Sequence, residues 1–329
     1  MSNQYLNDLI GTQVGEYTIQ ELVGEGTFSL VFRATDRLGQ STKAIKIPRS
    51  YTAQGNRKDD SVPTQVFIKR QDRYSPQEAS PIHIQKIQVA RTRSIQDQGM
   101  VSVEDYSFDE ASKSYISMPL ITGTSFRQYL NAGPIPLTVF RNLALTLDRL
   151  SRNPEFGYHG DVKPDNMIVT DNGVILVDCG YFGSIEPDST PDNDKKTLIV
   201  TTPRYYPHLI ADDLLAFGFL LWEAACRKPL LRKVSYSKDH DLEKVSDEIL
   251  SLVYEEEALG NFHFSQIVKA KPPSEYRPGL PDEIEDVLLK AVQLSFDEDG
   301  FLDCGEGYES FEEVADDLAG LMNLGIHYL

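Results

Sequence analysis

The segment His159–Asn166, H-G-D-V-K-P-D-N, packs two carboxylates, a lysine and an amide into one short loop just ahead of an apolar run. Metal-assisted phosphoryl transfer needs a base for the incoming hydroxyl, a cation near the moving phosphate and an oxygen ligand for the metal. Asp161, Lys163 and Asn166 offer these in turn. A second carboxylate, Asp178, ends the apolar strand V-I-L-V-D and is followed by Cys179 and Gly180, a pattern that suits a metal ligand on a movable loop. Upstream, Gly24–Val31 reads G-E-G-T-F-S-L-V. Glycines there let backbone N–H groups come close to phosphates, although an isolated G-x-G is also an ordinary hairpin turn. Lys46 sits in A-I-K, inside an apolar strand and fifteen residues after Val31. Such an ammonium must face something negative or snorkel to water from a strand end.

These residues need a scaffold that gathers them. Residues 17–47 alternate apolar and polar positions in three runs, Y-T-I-Q-E-L-V, S-L-V-F-R-A-T and T-K-A-I-K-I, and predict an antiparallel meander. Residues 48–80 are polar and rich in turn formers, and read as a loop or insertion. A helix is expected over 81–97, with Pro81 at its first position after Ser80. M-V-S-V-E-D-Y-S-F and S-Y-I-S-M-P-L-I return to strand character. From Thr124 helices dominate. Leu137, Phe140, Leu143, Ala144, Leu147 and Leu150 form one stripe, and 212–226, 241–257, 281–294 and 310–324 are further helix candidates. Asn172-Gly173 signals a hairpin between M-I-V and V-I-L-V-D. No internal repeat is present. Strands first and helices after predict an α+β chain of two lobes, with a ligand cleft between them.

The chain has 329 residues and a formal net charge of −18, from 32 basic and 50 acidic residues. So acidic a chain has no global field for nucleic acid or an anionic membrane, and none is expected as a partner. A phosphate site must then be made from local donors. The three cysteines, Cys179, Cys226 and Cys304, are far apart, which predicts free thiols and a reducing, cytoplasmic setting. The N-terminus has no basic stretch followed by an apolar run, so no signal peptide is expected. The most apolar stretch, Leu214–Cys226, is too short to span a bilayer and carries Glu223, so no membrane insertion is expected.

In order and spacing together, these motifs resemble the eukaryotic-like (Hanks-type) protein kinase family in its bacterial serine/threonine branch, over about residues 15–323. The resemblance implies a bilobal fold: a small antiparallel β-sheet N-lobe over 15–121, with an insertion at about 48–80, and a mostly helical C-lobe over 122–329, with an enlarged acidic region at about 233–275 and an extension over 1–14. It implies ATP and Mg²⁺ as cofactors and a protein substrate; the oligomeric state is left open. By position, Gly24 and Gly26, with the turn around Ser29, would cover the ATP phosphates, Val31 and Ala44 would sandwich the adenine, and Lys46 would bind the α- and β-phosphates. Met118 falls at the gatekeeper position and Pro119, Leu120 and Ile121 on the hinge, where Ile121 keeps the N–H that Pro119 lacks. Asp161 would be the catalytic base, Lys163 would steady the γ-phosphate, Asn166 and Asp178 would hold Mg²⁺, and Asp213, five residues before Gly218, would anchor the catalytic loop from a central helix.

The chain departs from the family pattern at five places. Ser29 replaces the third glycine of the loop. Gln88 falls where a glutamate pairs with the strand lysine, with Glu78 as an alternative partner. Gly160 replaces the arginine that grips a phosphorylated activation loop, so phosphorylation at Thr197, Thr201 or Thr202 would not switch activity by that route, and these read as ordinary loop threonines. Cys179 replaces a phenylalanine. His208 replaces a glutamate whose arginine partner is also missing from S-F-D-E-D-G-F-L-D-C-G, so both members of a buried pair are gone together. Glu255–Glu257 read as a solvated helix face rather than a dock for basic substrates. The expected function is ATP- and Mg-dependent transfer to serine or threonine hydroxyls. Gln88, Gly160 and Cys179 motivate the alternative of a pseudokinase, a nucleotide-binding scaffold with little transfer. A third reading, a kinase-like fold acting on small molecules, is disfavoured by Lys163.

Overall fold

The computed structural model describes residues 9–49, 65–70, 73–76, 80–109, 113–184, 196–202, 204–206, 210–231, 233–236, 251–254, 271–296 and 302–329. Strands β1 (Gln13–Val14), β2 (Tyr17–Glu25), β3 (Ser29–Asp36) and β4 (Thr42–Pro48) form the expected meander. The strand β8 (Tyr115–Pro119) continues it beyond β4, and β7 (Asp105–Ser107) forms the edge, giving the order β1-β2-β3-β4-β8-β7. Alternation along the strands sends Leu30, Phe32, Ala34, Ile45 and Ile47 to one face, where they bury with Leu9, Val14, Ile19 and Tyr115. The other face carries two rows. Gly24 lies opposite Val31, Val31 opposite Lys46 and Lys46 opposite Ile116, while Ala44 lies opposite Met118. Opposed residues share a face, so the candidate nucleotide contacts line one side of this sheet.

The polar stretch read as a loop contains two strands, β5 (Gln65–Arg70) and β6 (Arg73–Pro76). They join a second sheet, β12-β13-β5-β6, whose other members are β12 (Tyr181–Ser184) and β13 (Lys196–Thr201). The apolar core of β5, V-F-I, is short, with Gln65 before it and Lys69-Arg70 after it, and it becomes a strand through a partner about 130 residues away: Gln65 pairs with Thr201 and Arg70 with Lys196. Helix α1 (Pro81–Thr92) begins as expected but ends five residues early. Of M-V-S-V-E-D-Y-S-F only Asp105–Ser107 is strand, and Met100 makes an isolated bridge to Leu176 instead.

Beyond β9 (Thr124–Ser125), the helices α2 (Phe126–Ala132), α3 (Leu137–Ser151), α4 (Asp213–Cys226), α5 (Pro273–Tyr276), α6 (Asp282–Ala291) and α7 (Phe311–Asn323) share one large core. All six stripe residues of α3 are buried in it. Phe126, Phe140, Phe217 and Phe311 stack edge to face through it, with centroids 5.7–6.3 Å apart. Strands β10 (Met167–Thr170) and β11 (Gly173–Leu176) form the expected hairpin, but its two-residue turn is Asp171-Asn172, and Gly173 opens β11 opposite Thr170. Residues 251–254, within an expected helix, are strand β15, parallel to β14 (Lys233–Tyr236); the rest of that candidate helix lies outside the described residues, as do Glu78, His208 and Glu255–Glu257. Leu294–Phe296 and Leu302–Cys304 close the inventory as the antiparallel pair β16 and β17. Among the described residues, no helix is long and apolar enough to cross a membrane.

Helix α4 is buried on nearly every side and passes against the end of α6. A β-carbon at Gly218 would lie 2.0 Å from the Ala291 carbonyl oxygen, a backbone atom that cannot step aside. Gly218→Ala is therefore expected to destabilise the protein by about 1–3 kcal/mol, read as a lowered melting temperature in a thermal scan. An unchanged melting temperature would contradict this packing.

Candidate active site

Residues separated by more than a hundred positions meet in one polar chain. On α1, the Gln88 side-chain oxygen accepts from the Lys46 ammonium at 2.8 Å. Lys46, 3% exposed, also makes an ion pair with Asp178. Across the site, the Asn166 amide donates to the Asp178 carbonyl at 3.0 Å, to the Asp161 carbonyl at 2.9 Å and to the Asp161 carboxylate at 2.8 Å. Lys163 pairs with the same Asp161 oxygen at 3.0 Å and donates to the Thr202 hydroxyl at 2.7 Å. Contact thus runs without a gap from α1 through Gln88, Lys46, Asp178, Asn166, Asp161 and Lys163 to Thr202.

Local backbone explains how a short loop presents so many polar groups. Pro164–Asn166 turns as a single 3-10 helical turn before β10, which swings Asn166 back towards Asp161. Asp178 holds φ at +55°, in the left-handed region that aspartate tolerates better than most residues. Beneath the loop, Asp213 at the start of α4 accepts from the backbone N–H of His159 at 2.5 Å and of Gly160 at 2.8 Å, and from the Tyr206 hydroxyl at 2.6 Å. Tyr206 in turn accepts from the Val162 N–H at 2.8 Å. Burial raises the Tyr206 pKa, with the Asp213 charge adding to it, so the hydroxyl stays protonated and able to donate.

His159 is fully buried, and burial pushes its pKa down despite nearby Asp213 and Asp161. Its Nδ1 accepts from the Asp161 N–H at 3.2 Å and its Nε2 donates to the Val177 carbonyl at 3.1 Å. The neutral ring thereby satisfies both nitrogens, and a second proton would displace the bond from Asp161. Gly160 sits at φ +81°, and a β-carbon there would come within 3.1 Å of the Tyr158 ring and 3.3 Å of the Phe182 ring. The arginine expected by resemblance at this position would thus be strained and crowded.

Met118, Val101, Met100, Thr92 and Cys179 line a cavity of about 20 Å³ behind the Lys46–Asp178 pair. Cys179 and Cys226 are buried free thiols. Ile121 follows β8 and is half-buried, outside the polar chain. A second buried network went unread in the sequence: Arg127 on α2 pairs with Glu223 on α4 and, at 3.3 Å, with Asp165 of the loop before β10, while the Tyr205 hydroxyl donates to Glu223 at 2.5 Å. Burial opposes the Arg127 charge, but Tyr205, Glu223 and Asp165 outweigh it and its pKa is raised. Glu223 was noted only as a charge that spoils a membrane span. Arg91 was also missed, although Gln85, Gln88 and Arg91 recur at three-residue spacing and so share one helical face.

A curled antiparallel sheet above a helical body, with a lysine–carboxylate pair and a loop carboxylate between them, is the protein-kinase fold. Solved structures agree on it: the kinase domain of Mycobacterium tuberculosis PknI matches with a TM-score of 0.51 at 16% identity, covering 94% of this chain and 98% of that one, and PpkA-294 matches with a TM-score of 0.52 at 16% identity over 94% and 98%. In sequence, the chain is 25% identical over 308 residues to the serine/threonine-protein kinase PknE of Mycobacterium tuberculosis, covering 90% of this chain and 45% of the relative. It is 24% identical to a probable serine/threonine-protein kinase PknB of Bifidobacterium longum, over 95% and 40%. To the DNA damage-responsive kinase RqkA of Deinococcus radiodurans it is 25% identical, over 84% and 36%. No family model matches the chain. The chain spans less than half the length of these curated relatives. In sequence it is similar to these bacterial serine/threonine protein kinases, and in fold to solved kinase domains.

Proposed function

We propose that this protein is an active kinase that moves the γ-phosphoryl group of ATP to a serine or threonine hydroxyl of a protein substrate. The observation that carries this reading is the unbroken polar chain from Gln88 to Thr202, because no structural need gathers two carboxylates, two ammonium groups and two amides in one crevice. The acceptor oxygen forms a bond to the γ-phosphorus as the bond from that phosphorus to the bridging oxygen breaks; ADP leaves, and the hydroxyl proton passes to the Asp161 carboxylate. Lys163, held between Asp161 and Thr202, balances charge on the moving phosphoryl group. Lys46 holds the α- and β-phosphates, with Gln88 fixing its ammonium by a neutral bond. Gly24, Gly26, Val31, Ala44, Met118 and Ile121 make the nucleotide cleft.

The oxygens present fit a hard divalent cation. Asn166 spends its amide hydrogens on Asp161 and the Asp178 backbone, which turns its Oδ1 the other way, and Asp178 engages Lys46 through one oxygen while its side chain stays 30% exposed. Mg²⁺ asks for one or two such ligands and takes the rest from phosphates and water. When bound it would neutralise phosphate charge. The setting proposed is the cytoplasm, where ATP is available and buried thiols stay reduced.

Intact-mass and peptide mass spectrometry after incubation with MgATP, with a generic protein acceptor present, tests the reading. The expected result is addition of phosphoryl groups to serine or threonine. Retained nucleotide binding with no mass added anywhere would replace it with the scaffold alternative.

A further inference from the structure

Two arrangements hold the catalytic set together, and neither uses a phosphate. The first is Arg91, one turn beyond Gln88 on α1. Its buried guanidinium donates to the carbonyl oxygens of Phe156 and His159, each at 3.2 Å, and closely to those of Tyr158 and Gly180. It lies over the Tyr158 ring at 4.2 Å and the Phe156 ring at 4.7 Å. Every one of these acceptors is a neutral backbone carbonyl or an aromatic face, so the guanidinium is used up inside the fold and is not a receptor for a phosphate. It ties the helix that carries Gln88 to both the catalytic loop and the segment just after Asp178.

The second is the strand pairing of the insertion with the segment between Asp178 and Asp213. All six residues of β5 pair with all six of β13. Val66, Leu198 and Val200 bury with Ile84 of α1 in a small core of their own, against which Phe28 of the glycine-rich turn, Ile87 and Tyr181 pack. The far end of β13 reaches the site: the Thr201 hydroxyl donates to the Gly160 carbonyl at 2.8 Å, and Thr202 receives Lys163. Both threonines are fully buried, which removes them as phosphate acceptors in this arrangement.

We propose that Arg91 and strand β5 are positioning elements that set the residues of phosphoryl transfer in register, so that this kinase works without a phosphate on the segment between Asp178 and Asp213. The inference rests on the kinase reading above and adds how the site is assembled. The paired state is assigned as the active one because Lys46, Gln88, Asp178, Asn166, Asp161 and Lys163 are all in contact while β13 is paired.

Four measurements on the full chain decide it. Protein treated with a broad-specificity phosphatase should transfer at a rate within about twofold of untreated protein; a loss of about tenfold or more overturns the inference. Lys69 and Thr197 lie directly opposite each other, so Lys69→Cys with Thr197→Cys, in a Cys304→Ser background, can be bridged across the strands. The oxidised form should be at least as active as the reduced form. Inactivation on oxidation that a reductant reverses would make the pairing inhibitory and overturn the inference. Arg91→Lys keeps the charge but cannot fork to several carbonyls; kcat should fall by about tenfold with the KM for ATP nearly unchanged, and a kcat within about twofold of wild type overturns the role of Arg91. Val66→Pro removes a ladder donor and a core side chain. Hydrogen exchange at 196–201 should rise while α4 stays protected, and unchanged exchange overturns the role of β5. This last readout needs no transfer. A wild-type protein that adds no phosphate fails the kinase reading alone, and exchange still judges the clamp.

Discussion

Asp161→Asn should lower the transfer rate at saturating ATP by about 10²- to 10⁴-fold and leave nucleotide affinity within about twofold. The asparagine oxygen can still accept from Asn166 or from Lys163, which both reach the same Asp161 oxygen at 2.8 and 3.0 Å. The loop can therefore keep its shape, held by Asp213 from below and by the Asn166 bond to the backbone carbonyl of residue 161. What is lost is the ability to take a proton. An amide is no base near neutral pH, so the acceptor hydroxyl would have to lose its proton to water. On the proposed reading, nucleotide affinity rests on other groups, Lys46 and the sheet face around Val31 and Ala44. Single-turnover labelling together with titration of a fluorescent nucleotide separates the two effects. Transfer within about threefold of wild type would remove Asp161 from the role of base.

Asp213→Ala has the largest expected effect on stability, about 3–5 kcal/mol. The carboxylate is 7% exposed and accepts from two backbone N–H groups and one hydroxyl. Removing it leaves three buried donors without acceptors, at about 1–3 kcal/mol each, and opens a small void. Tyr206 can recover part of this by turning its hydroxyl, since it also accepts from Val162. Asp213→Asn should fall between, because its one oxygen serves at most part of the set while its amide hydrogens face other donors. Urea unfolding followed by tryptophan fluorescence reads the change, as Trp222 lies on the same helix. A loss below about 1 kcal/mol would mean that the loop is held by something other than Asp213.

What could be read from the chain without coordinates divides by sequence distance. The loop H-G-D-V-K-P-D-N was legible because its parts act over a few residues and bond to one another. The three-strand meander was legible because alternation is a local signal. Gln88 could be placed by counting, and it does reach Lys46. Strand β5 was hidden, because three apolar residues between a glutamine and a Lys-Arg pair make a strand only when a remote partner fills the ladder. Arg91 was hidden for a related reason: an arginine on a helix ordinarily reaches solvent, and only the folded chain brings four carbonyls around it. The Asn172-Gly173 signal found the right hairpin but the turn sat one residue earlier, since Asp171 and Asn172 are themselves good turn formers.

Having glutamine rather than glutamate beside Lys46 changes the electrical state in which the crevice waits. Two ammonium groups and two carboxylates cancel there, so the crevice carries no net charge of its own inside a molecule whose formal charge is −18. A glutamate at position 88 would make it negative and add local repulsion to an already unfavourable approach of a polyanionic nucleotide. On the proposed kinase reading, the glutamine that first looks like damage is a concession by which so acidic a surface can still admit a phosphate donor.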